Sequence, residues 1–171
     1  MQITFTKGRG EDWIGIVRGD GTRADTRFPH KGPVPHDAVH LFVEAGLGLA
    51  RGFWGMVDEG HHPEELAELA KLGGHASAKR ASAPDDGIIE LLQAERLVEV
   101  FEADLWSGSH SDECALLDLG HTACSHSHVP LPDVAEGSIE TIQFAIAEFA
   151  EGWTPAPFGH VAEFSWPLVL G

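Results

Sequence analysis

Apolar and polar residues alternate from the first strand onward. Ile3 and Phe5 point one way and Gln2, Thr4 and Thr6 the other, the two-residue period of a half-buried strand. Lys7 to Asp12 is a glycine-containing turn, and Trp13-Ile14-Gly15-Ile16-Val17-Arg18 reads as a second strand. Gly19-Asp20-Gly21 is a hairpin signal, and Thr22 to Phe28 is the return strand, with Arg23, Asp25 and Arg27 on one solvated face. Arg18-Gly19-Asp20 also spells the cell-adhesion tripeptide, but turn chemistry accounts for Gly19 and Asp20 without it.

The period then lengthens. From Pro35 the pattern predicts a helix, with Val39, Phe42, Val43 and Leu47 on one arc at about 100° per residue. Pro35 suits a helix start, where a missing N–H costs nothing, and Asp37 suits the positive end of the dipole. Gly46 and Gly48 weaken this helix, so the chain should bend before Phe53-Trp54. Phe53, Trp54, Met56 and Val57 form a further buried turn or two. Pro63-Glu64-Glu65 starts another helix, expected to stop at Gly73-Gly74. Ala76 to Pro84, with Lys79 and Arg80, reads as a mobile loop.

Asp85 or Asp86 caps the longest helix, about Gly87 to Trp106. Its apolar stripe is Ile88, Leu91, Leu92, Val98, Phe101 and Leu105, with Glu90, Glu99 and Glu102 on the wet side. Ser111-Asp112-Glu113 opens a helix to about Leu119, and the irregular stretch 120–128 follows. A last helix, about Ala135 to Glu151, carries Ile139, Ile142, Ile146 and Phe149 on one face. Gly159 to Trp166 alternates again and should return to pair with the N-terminal strands. The expected class is α+β: a small antiparallel sheet of three N-terminal strands and one C-terminal strand against a layer of about five helices. The 171 residues fit a single domain, 1–171, and no internal repeat or linker divides them.

Charge narrows the choice of partners. The formal net charge is -16, which repels phosphate backbones, so neither a nucleic acid nor an anionic membrane is expected. No apolar run is long enough to cross a bilayer, and no signal peptide stands at the start. Two cysteines, Cys114 and Cys124, suit a reducing, cytoplasmic compartment.

Candidate chemistry centres on the helix that begins at Pro35. His36 and His40 are four residues apart, which stacks the imidazoles one turn above the other, close enough to share a metal ion. Asp37 could orient an imidazole from behind. Zinc is the first expectation, though nickel, copper or iron would accept the same pair. A third ligand must come from elsewhere: His30, Glu95, or the Cys124/His126/His128 group. That group would place its side chains on one side of an extended segment. Glu44 lies roughly 12 Å beyond His36, too far to join it on one ion. The competing reading makes His36 a helix-capping side chain and His40 a histidine at the core edge. His61-His62 read as loop residues, Cys124 has no nucleophile signature, and Gly46-Leu47-Gly48 lacks the strand and third glycine of a nucleotide loop.

His36-Asp37-x-x-His40 also resembles a shortened His-Glu-x-x-His zinc motif, over five residues. More widely, Pro35-His36-Asp37-x-x-His40-x-x-Val43-Glu44 followed by Gly52-Phe53-Trp54-Gly55 resembles a group of uncharacterised bacterial proteins. In that group an N-terminal strand pair precedes the helix and a short strand ends the chain. The resemblance covers about Val34 to Val57 and implies architecture, not an activity. Two functions follow from the residues. One is a metal-binding protein, with metal-dependent hydrolysis as its finer form. The other is a non-catalytic interaction or regulatory module, a homodimer whose exposed aromatics serve a partner. Three ligands converging around His36 would favour the first; a broad apolar patch, with His40 capped by a carbonyl, the second.

Overall fold

The computed structural model describes residues 1–80, 83–108 and 111–170, with the side chains of all of these except 75–80. Four strands, β1 (Gln2–Thr6), β2 (Glu11–Val17), β3 (Arg23–Pro29) and β4 (Val161–Ser165), form one antiparallel sheet in the order β3-β2-β1-β4. The C-terminal strand therefore returns to the N-terminal sheet, as the alternation predicts. Register follows the apolar period: Ile3 sits opposite Ile16 and Phe164, and Phe5 opposite Ile14 and Ala162. Ile3, Phe5, Ile14 and Ile16 are all buried on the helix side.

At the β2–β3 turn, Gly21 takes a positive φ of 84°, and the Asp20 carboxylate accepts the Thr22 N–H at 2.8 Å. Arg18 is committed to the fold. Its Nε donates to the Val57 carbonyl at 2.6 Å and its Nη2 to the His61 carbonyl at 2.8 Å. The adhesion reading of Arg18-Gly19-Asp20 has no support in that arrangement.

Six α-helices are present among the described residues: α1 (His36–Leu47), α2 (Phe53–Asp58), α3 (Pro63–Arg80), α4 (Ile89–Ser107), α5 (Glu113–His126) and α6 (Ser138–Trp153). A 3-10 turn at Asp86–Ile88 precedes α4, and Asp85 caps it by accepting the Gly87 N–H. Helix α1 is central, packed against α2, α4 and α6. Nine of its twelve residues are buried, among them the polar Asp37, His40 and Glu44. No described helix is long and apolar enough to cross a membrane.

Two expected helix ends are displaced, both by glycine. Helix α3 passes through Gly73-Gly74 to Arg80, and α5 passes through Gly120 to His126. A Cβ on Gly73 would stand 2.9 Å from Ile88 Cδ1, and one on Gly120 2.8 Å from Leu97 Cδ2. These glycines let α3 and α5 approach α4 closely; they do not stop helices. Gly46 does the same for α1 against Ile142 of α6, while Gly48, at φ 65°, ends α1 as expected. The expected loop over 76–84 is thus helical up to Arg80, and its residues 81 and 82 lie outside the described residues.

Candidate metal centre

Helix α1 presents His36 and His40 on the face turned toward α4, with ring centroids 5.0 Å apart. Glu95 of α4 faces them. His36 Nε2 lies 3.7 Å from Glu95 Oε1, and His40 Nε2 lies 3.4 Å from Glu95 Oε2. One ligand atom from each of the three residues falls within 4.8 Å of the others, a grouping that could hold a metal ion. Ligand atoms about 2.0 Å from a tetrahedral ion stand about 3.3 Å apart, so only small adjustments are needed.

The other ring nitrogens are backed by carboxylates. His40 Nδ1 is 2.9 Å from Glu44 Oε1, and His36 Nδ1 is 3.1 Å from Glu102 Oε2, although the second contact is off-line for a hydrogen bond. Both glutamates are buried. A histidine ligand held at Nδ1 by a carboxylate has its ring orientation fixed and its Nε2 made more basic. His36 Nε2 is itself buried without a hydrogen-bond partner among the described residues. A native fold rarely leaves such an atom unpaired unless a ligand, ion or water completes it.

Glu44 shows how a distant segment supports the site. Its Oε1 also accepts the Phe53 N–H, and its Oε2 the Trp54 N–H, each at 2.9 Å. The carboxylate thus closes the N-terminus of α2, where free N–H groups and the helix dipole favour negative charge. Trp54 in turn donates its indole N–H to the Asp37 carbonyl at 2.8 Å. Gly52 makes room, because a Cβ there would sit 2.5 Å from Glu44 Cδ. Gly55 makes room on the other side, where a Cβ would collide with the Ala50 carbonyl. The histidine segment and the Gly52-Phe53-Trp54-Gly55 segment are one physical unit. Gly52→Ala should cost about 1–3 kcal/mol through overpacking. A chemical melt checks it, and a variant as stable as the parent would show that Glu44 has slack.

Burial opposes charge on His40, but the hydrogen bonds and charges of Glu44 and Glu95 outweigh it and push the imidazole up to about 10. His36 shifts upward as well, the nearby Glu102 and Glu95 carboxylates overcoming its burial. Burial opposes charge on Glu95 too, yet the two imidazoles hold its carboxyl well below the usual range. Without a metal, His40 keeps its proton between the Glu44 and Glu95 carboxylates.

The remaining sequence candidates fall in different places. Asp37 is buried and lines the cleft beside the histidines, and its carboxyl is pushed up by burial. The carboxylates standing at the imidazole Nδ1 atoms are those of Glu102 and Glu44. His30 pairs with Asp12 at 2.8 Å and is not part of the centre. Cys124 is buried on α5 with its thiol pushed up to about 11 by burial, whereas His126 is exposed and His128 lies beyond the helix end. The extended alternation expected for that trio does not form, because 120–126 are helical. Glu102, expected on the wet side of α4, is buried. Its seven-residue spacing from Glu95 placed both on one face two turns apart, and that was the signal available.

The triad opens into a cleft of about 780 Å³, whose walls include Phe28, Lys31, Phe53, Glu68 and Arg96. No family model matches the chain, and no curated protein or solved structure matches it.

Proposed function

We propose that the protein binds one divalent metal ion through His36, His40 and Glu95 and uses it to hydrolyse a small molecule held in the adjoining cleft. The observation that carries the reading is the convergence of two imidazole Nε2 atoms on one carboxylate while buried glutamates stand at both Nδ1 atoms. A purely structural histidine pair has no need of carboxylates on both sides of each ring. Zinc suits two imidazoles and a carboxylate. Three protein ligands leave a fourth position, and the cleft gives it an approach from solvent. A catalytic zinc supplies in such a position a water acidified toward neutral pH. The interaction-module reading is the weaker one, since His40 is paired with a carboxylate and not with a carbonyl.

Elemental analysis of the untagged protein tests the binding. One ion per chain is expected in the parent, with loss in His36→Ala, His40→Ala and Glu95→Ala. Metal-free parent whose melting temperature does not respond to added zinc at neutral pH would sink the reading. Hydrolysis is then tested by assaying metal-loaded parent on ester, amide and phosphoester substrates, against the same protein stripped by chelator.

A further inference from the structure

The cleft does not end at the triad. Its walls also include Gly74 of α3, Arg96 of α4, and His126 and Ser127 at the end of α5. Arg96 Nη1 pairs with Glu99 Oε2 at 2.9 Å, but Arg96 Nε is buried and has no hydrogen-bond partner among the described residues. The Nε–Nη2 edge is the side of a guanidinium that grips a carboxylate or phosphate with two parallel N–H bonds. Ser127 is only 4% exposed and lines the same end of the cleft. Arg96 Nη2 and Ser127 Oγ each stand 3.9 Å from the position a Cβ on Gly74 would occupy, so glycine leaves the space between them open. The cleft lining carries both signs, Lys31, Lys71 and Arg96 beside Asp37, Glu68, Glu95 and Glu99, so directed N–H and O–H groups, not net charge, would select an anion there.

We propose that Arg96 and Ser127 form an oxyanion subsite, so that the cleft takes a small molecule carrying a carboxylate or phosphate group. That the same molecule presents its reacting bond to the triad rests on the metal reading above; the subsite itself does not. An oxyanion supplies the acceptor that Arg96 Nε lacks and can accept from the Ser127 hydroxyl as well, and only an acceptor group can satisfy a guanidinium, which has no lone pair to offer. Glu99 holds the other side of the guanidinium and aligns it.

The test is calorimetric titration with inorganic phosphate and with acetate. It uses zinc-loaded, desalted protein and chelator-stripped protein, for the parent, Arg96→Gln and Ser127→Ala, with zinc content measured on every sample. One of the two anions should bind the parent, and its identity tells a phosphate from a carboxylate subsite. Arg96→Gln should weaken that binding at least about tenfold, as loss of a charged hydrogen-bond pair does, with zinc content unchanged. Ser127→Ala, which removes one hydroxyl and no charge, should weaken it severalfold at an unaltered melting temperature. Arg96-dependent binding that survives in a parent unable to hold zinc supports the subsite while removing the metal reading. Equal affinity in parent and Arg96→Gln would overturn the subsite, because the anion would then sit on the ion alone. Absence of binding by either anion at about 10 mM, weaker than any specific small-ligand contact worth proposing, would overturn it as well.

Discussion

Glu44→Ala is expected to cost about 3–5 kcal/mol of stability, the range for removing one partner of a buried ion pair. The carboxylate answers three donors at once: His40 Nδ1, the Phe53 N–H and the Trp54 N–H. Alanine would leave all three buried without an acceptor and leave the His40 charge facing Glu95 alone. Glu44→Gln keeps one acceptor oxygen and should lose less. Urea denaturation of the two variants beside the parent measures the difference. A loss under about 1 kcal/mol for Glu44→Ala would show that the α1–α2 contact is held by apolar packing and not by this carboxylate. Zinc affinity should fall with stability. Removing the group behind a histidine ligand typically costs 10–100-fold in metal affinity, so about that loss is expected where Glu44→Gln remains folded.

The pH dependence should run in opposite directions with and without metal. Zinc needs a neutral imidazole, and in the metal-free protein His40 keeps its proton up to about 10. Binding therefore displaces that proton, and affinity should rise about tenfold per pH unit for each proton released, well above the unperturbed histidine range near 6.5. An ordinary histidine pair would show its dependence only around that lower value. In the metal-free protein the folded value exceeds the unfolded one. The stabilisation from protonating His40 is thus complete below about 6.5 and is lost as pH rises toward about 10. Melting temperatures from pH 6 to 9 should fall with rising pH after chelation. The increment produced by a fixed zinc concentration should grow over the same interval. A zinc increment that levels off above pH 7 would mean that Glu44 and Glu95 do not hold the proton on His40.

Both features trace to residues that could be read from the chain only in part. The His36/His40 pair was visible because helical spacing alone places i and i+4 together. Glu95 stood among several candidate third ligands, since the sequence does not say which helix faces α1. Helical rise sets Glu44 apart from His36, but its place behind His40 depends on α2 folding back so that Phe53 and Trp54 present their N–H groups. A single apolar stripe on α4 puts Glu102 on the solvent side. In the structure α4 packs against α1, α3, α5 and α6, and little of it stays wet.

Local periodicity by itself determined the α+β class, the three N-terminal strands, the returning C-terminal strand and which face of the first strand is buried. A period of two or 3.6 is set by backbone geometry and needs no partner to be legible. It determined the histidine pair for the same reason. Tertiary structure alone decided where α3 and α5 end, because a glycine stops a helix or admits a neighbour depending on what lies against it. At Gly73 and Gly120 that neighbour is α4. Tertiary structure also decided that Glu95 completes the triad and that Glu44 and Glu102 stand behind it. A carboxylate's role follows from which charges and N–H groups it meets in three dimensions, and those contacts join residues up to 66 positions apart, as between His36 and Glu102.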